Sequence, residues 1–78
     1  MTRSIESFYV FLVEDKDGVE GIAAMPVPAA RRWEPMIATT QEKLEQLRVA
    51  AVDIVKRSGQ RMRIAHFSCR SDVEDLSA

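Results

Sequence analysis

The pattern of apolar and polar positions opens on an unbroken apolar run near the start of the chain. Ser7-Phe-Tyr-Val-Phe-Leu-Val-Glu14, rich in aromatic and β-branched side chains, is the strongest strand signal present. It runs into Asp15-Lys-Asp-Gly18, whose Asp-Gly pair suits positive φ angles, so a hairpin follows with a return strand over Val19–Met25. The return strand is weakened by Gly21 and two alanines. Pro26 and Pro28 are expected to end its pairing, since proline has no N–H to give a ladder. Residues 26–35 then read as a loop with Arg31-Arg32-Trp33 as its conspicuous content, and Pro35–Ala38 as a short third strand.

The next pattern has the helical period. Leu44, Leu47, Ala51, Ile54 and Val55 fall on one stripe. Thr39 and Glu42 have the spacing of a capping box at its start. Lys56 and Arg57 favour the dipole in the last turn, and Gly59 supplies the left-handed stop. Gln60–Cys69 returns to period two, with Arg61 and Arg63 outward and Met62 and Ile64 inward, and predicts a last strand. Ser71-Asp-Val-Glu74 repeats the S-x-x-E signature and predicts a short, frayed helical turn through Leu76.

These elements predict an α+β fold of order ββ(β)αβ: a small antiparallel sheet packed on one long helix, with a short C-terminal helical turn. One such domain is expected over residues 7–70, between a flexible start (1–6) and a helical or frayed tail (71–78). A right-handed crossover through the helix puts the last strand parallel to the second. The first strand, the most apolar, should then be central, with the last strand on one side and the hairpin partner on the other.

That first strand carries apolar side chains on both faces: Phe8, Val10 and Leu12 on one, Tyr9, Phe11 and Val13 on the other. One helix covers one face. Leaving about three large side chains wet on the other forgoes about 1.5–3 kcal/mol each, against a total stability of about 5–10 kcal/mol. Three covers are open: the 26–38 loop with Trp33, Met36 and Ile37, the terminal segment, or a second copy of the chain in a symmetric dimer. Tyr9, Phe11 and Val13, together with Arg31, Arg32 and Trp33, are the candidate partner-binding residues, since Arg and Trp are enriched at interface hot spots.

Composition bounds the rest. Seventy-eight residues, 46% hydrophobic and 29% charged, suit a small globular chain that buries only about 60–65% of its unfolded surface. The lone Cys69 excludes a disulfide within the chain and fits a reducing, cytoplasmic setting. Met1–Ser7 lacks the apolar run of a signal peptide, and no stretch approaches the roughly 18 apolar residues of a membrane helix. The net charge of −1 conceals segregation, because residues 43–70 hold seven basic side chains against Glu45 and Asp53.

Within that basic segment Lys56, Arg57, Arg61 and Arg63 form the alternative site, a weak nucleic-acid patch. The pI of about 5.8 argues against it, as does the charge that a helix end and an edge strand want for their own reasons. No catalytic, metal or cofactor set emerges. His66 and Cys69, three apart on a strand, face opposite sides. Glu14, Asp15, Asp17 and Glu20 lack the spacing of a calcium loop, and Gly18 and Gly21 lack that of a phosphate loop.

Taken in order, Phe8–Glu14, Asp17-Gly18, Pro35–Ala38, the Leu44–Ile54 helix and Arg63-Ile-Ala-His-Phe67 give the chain a layout. It resembles that of short uncharacterised proteins from phages and bacterial prophage regions. The resemblance spans most of residues 7–76 and rests on pattern. It implies no activity, but a small accessory protein that binds a host or phage macromolecule. The function expected is thus a non-enzymatic protein-binding module that self-associates through its apolar sheet face, with a homodimer or another protein as partner.

Overall fold

In a computed structural model describing residues 4–77, seven-residue strand β1 (Phe8–Glu14) lies at the centre of a four-stranded antiparallel sheet. Its Asp15–Val19 turn closes on one carboxylate: Asp15 Oδ1 accepts from the amides of Asp17 and Val19 at 2.8 and 2.9 Å. Gly18 takes φ 82°, the left-handed value the turn requires. The chain returns as β2 (Glu20–Ile22), pairing Leu12 with Ile22 and Glu14 with Glu20.

At Ala23 the return strand leaves the sheet, and it rejoins as β5 (Ile37–Ala38), pairing Val10 with Ile37 and Tyr9 with Ala38. Three backbone bonds close the breach. The Phe11 amide donates to the Met36 carbonyl at 3.0 Å, the Ala23 amide to the Phe11 carbonyl at 2.8 Å, and the Met36 amide to the Ala23 carbonyl at 2.8 Å. Residues 24–35 between them form a second hairpin, β3 (Ala24–Val27) and β4 (Arg32–Pro35), joined by one 3-10 turn at Pro28–Ala30 with Arg31 left-handed at its end. The expected loop over 26–35 is therefore a ribbon, and Pro26 lies inside a strand, opposite Trp33. Both strands of a two-stranded ribbon are edges, where a missing N–H breaks no second ladder.

Helix α1 (Gln41–Ser58) starts one residue later than the capping box suggested. Thr40 is the cap, its hydroxyl accepting from the Lys43 amide at 3.1 Å, while Thr39 stays outside the helix. Gly59 ends the helix at φ 71°. Strand β6 (Met62–Phe67) pairs antiparallel with the free side of β1, from Phe8 opposite Phe67 to Val13 opposite Met62. The central place of β1 and the direction of β6 agree with the crossover argument. Residues 71–77 carry no helix; an isolated turn does not meet the cost of nucleation, and Val73 and Leu76 there are exposed, at 96% and 82%. Of the start expected to be flexible, residues 1–3 lie outside the described residues, and 4–7 have no regular structure.

The helix covers the odd-numbered face of β1. Phe11, Ala23, Met36, Ala38, Leu47 and Ala51 form the buried core, with Tyr9, Val13, Leu44, Ile54 and Met62 packed against it. Phe11 and Met36 are fully buried. The surface is nonetheless large: 6762 Å², where a folded monomer of 8.8 kDa exposes about 4,800 Å². The radius of gyration is likewise 14.7 Å, against about 11.5 Å for a compact domain of this length.

Phe11→Ala should lower unfolding stability by about 3–5 kcal/mol, whereas Trp33→Ala, at a site 69% exposed, should change it by no more than about 0.5 kcal/mol. Urea titrations of the two variants check the contrast.

Candidate functional site

Because the side chains of a strand alternate, the face of β1 turned away from the helix is set by its even positions. Phe8, Val10 and Leu12 share it with Ile22 and Ile37 on one side and with Arg63, Ala65 and Phe67 on the other, through the register of the three pairings. Val10, in the middle, is buried. Phe8 and Phe67 stack with ring centroids 5.6 Å apart. Phe67 is still 47% and Ile22 54% exposed. The result is an apolar sheet face with no helix over it.

This corrects the choice of face. Phe11 lies fully buried beneath α1 and cannot meet a partner, and Tyr9 and Val13 pack against the core on the same side. Alternation assigns the six apolar residues to two faces, but only tertiary packing decides which face the helix takes. Met36 settles it by entering the core beside Phe11. The segment expected to cover the open face does so only through Ile37. Met36 is on the helix side, and Trp33 projects from the ribbon, lining a cleft of about 320 Å³ with Pro26, Ile22 and Ile54.

Arg31, Arg32 and Trp33 do not converge. Arg32 bonds Glu34 at 2.8 Å, two residues along the same strand and so on the same side, leaving Trp33 on the other. Arg31 is exposed, its left-handed backbone (φ 52°) closing the 3-10 turn by donating to the Pro28 carbonyl.

The basic group is partly neutralised by its surroundings. Arg57 pairs with Asp53 one helical turn back at 3.1 Å. Arg63 reaches across the open face to Glu14 at 2.8 Å and Glu20 at 3.4 Å. Among the described residues Lys56 and Arg61 form no ion pair, so two of the four cations are left for an acidic ligand. The hairpin carboxylates thus have structural work: Asp15 closes the turn, and Glu14 and Glu20 hold Arg63.

His66 stacks on Tyr9 at 4.6 Å on the helix side. Cys69 lies beyond the end of β6, exposed, with φ 64°. Arg70 follows, and its bonds to Asp72 (2.6 Å to one oxygen) and its pair with Glu6 at 3.8 Å raise its pKa above the ordinary guanidinium value, the Asp72 hydrogen bond foremost. Among the described residues no three His, Cys, Asp or Glu side chains gather as a metal site, and no helix is long and apolar enough to cross a membrane.

Compared with protein-family models, with curated proteins and with solved structures, the chain matches none.

Arg63 and its partners are each about half exposed, so solvent screens both pairs. Arg63→Ala should cost no more than about 1 kcal/mol at low salt, and the difference from the native chain should shrink toward zero near 1 M NaCl. Parallel urea titrations at the two salt concentrations read it.

Proposed function

We propose that the chain is a non-enzymatic protein-binding module of the cytoplasm that self-associates by covering its open sheet face with a second copy. The observation that carries this is the face itself. Phe8, Leu12, Ile22, Ile37 and Phe67 form one continuous apolar surface, and the segment with the composition to shield it is turned elsewhere. The total exposure adds support. The excess over a monomer of this mass is roughly 2,000 Å². The ribbon and the extended tail account for part of it, and a standard interface removes about 800 Å² from each partner. Ile37 and Ala65 flank Val10 in the centre of the patch, while Arg63, Glu14 and Glu20 lie at one end as a charged rim, the arrangement of apolar core and polar border found at interfaces.

An accessory role agrees with the resemblance to short phage and prophage proteins, whose layout likewise offers surfaces rather than catalytic groups. The nucleic-acid alternative loses support from the pairing of Arg57 and Arg63 with carboxylates.

Sedimentation equilibrium tests the proposal. The native chain should be a dimer at micromolar concentration, and Leu12→Lys with Phe67→Lys should make it a monomer whose far-ultraviolet circular dichroism is unchanged. A native monomer at about 100 µM, far above the micromolar affinities of ordinary weak interfaces, contradicts the proposal. So does a variant with the native mass.

A further inference from the structure

On the helix side of the sheet a second apolar feature remains. α1 does not reach the outer edge of β6, and between them runs an open groove of about 270 Å³. Val52, Val55, Met62 and Ile64 line it, with Arg48 and Lys56 at its margin. Val52 and Ile64 are each 46% exposed. Neither Arg48 nor Lys56 has an ion pair among the described residues, so the groove is apolar with an unneutralised basic border.

The segment after β6 has the complementary chemistry. Val73 and Leu76 are almost fully exposed, and Asp72, Glu74 and Asp75 give the segment a strongly acidic character. In a helical turn, Val73 and Leu76 share one side and Asp72 and Asp75 lie beside them, by the spacing of three. Ser71 and Glu74 have the spacing of a capping box for that turn. The turn is absent from the chain on its own, as expected of a segment with nothing to pack against. Nor does the segment fold back over its own groove. Arg70, bonded to Asp72, is paired with Glu6 ahead of β1, so the chain is led past the Phe67 end of the sheet, whereas the groove lies along Met62 and Ile64.

We infer that the α1–β6 groove is a docking site for residues 71–77 of a second copy. Val73 and Leu76 enter among Val52, Val55 and Ile64, and Asp72 and Asp75 meet Arg48 and Lys56. Docking creates the helical turn, in the manner of an amphipathic helix laid in a groove. A reciprocal exchange, in which each copy's segment enters the other's groove, closes on a two-fold axis. It rests on the self-association proposed above and deepens it: within the dimer formed through the Leu12 face each segment reaches the partner's groove on the other side of the sheet, a contact too weak to hold two copies together once that face is charged.

A fluorescently labelled peptide of residues 70–77 tests it, titrated against the chain carrying Val73→Ser and Leu76→Ser, two exposed positions whose change leaves the groove vacant. The peptide should bind saturably, more weakly as salt rises, and at least tenfold more weakly when Arg48→Glu and Lys56→Glu are added. In sedimentation equilibrium the Val73→Ser, Leu76→Ser chain should have a dimer dissociation constant at least tenfold above the native one. The Leu12→Lys, Phe67→Lys chain with the same serine pair should still bind the peptide, which separates groove from sheet face. No peptide binding, or an unchanged dimer constant in the serine variant, overturns the inference. Peptide binding by the serine variant alongside a native chain that stays monomeric would place the segment in its own groove and overturn the exchange as well.

Discussion

The three backbone hydrogen bonds among Phe11, Ala23 and Met36 hold the architecture together. A central strand needs a partner along its whole length, because an unpaired buried amide or carbonyl costs about as much as a lost hydrogen bond. Here the partner strand is interrupted by twelve residues. Phe11 spans the interruption by accepting from the last residue before it and donating to the first residue after it. The three residues are buried together, with Phe11 and Met36 at the centre of the core. The ribbon β3–β4 can therefore leave the sheet without opening it, and α1, which follows β5 after two residues, is delivered onto the face where Met36 sits.

That choice of face has a consequence on the other side. Phe8, Val10 and Leu12 are as apolar as the residues beneath the helix, yet among the described residues no helix lies over them. An antiparallel sheet with a solvated face ordinarily alternates apolar with polar; β1 does not. The covered face accounts for the stability of the fold, and the uncovered one is its most distinctive surface. The open groove beside β6 arises from the same economy, since the one helix leaves the Met62–Ile64 side of the sheet partly open.

Much of this was legible in the residues. Phe8–Glu14, Asp17-Gly18, the Leu44–Ile54 stripe, Gly59 and the alternation from Met62 are local signals, and each element forms near its expected bounds. The place of β1 between β6 and the hairpin partner followed from its two-sided apolarity. What escaped was nonlocal. Pro26 and Pro28 read as breakers because a proline inside a sheet is costly, but a free-standing ribbon has no inner strand, so Pro26 is tolerated opposite Trp33. Thr39 and Thr40 offer equivalent capping hydroxyls, and the pairing of Ala38 with Tyr9 moves the cap to Thr40. Parity alone cannot say which side a helix takes, so it leaves open whether Tyr9, Phe11 and Val13 face a partner or the helix. Arg32 and Trp33 are adjacent in sequence and so looked joint, yet strand alternation sends them apart.

The central claim is that the Leu12 face is covered in the associated protein. Attenuation of methyl signals by a soluble paramagnetic agent, followed as the chain is diluted, reads it most directly. At high concentration Leu12, Ile22 and Ile37 should be protected while Val19, exposed in the turn, is fully attenuated; on dilution attenuation of all three should rise, and that of Ile22, 54% exposed in the single chain, should approach that of Val19. Attenuation of Ile22 that matches Val19 at every concentration would contradict the account.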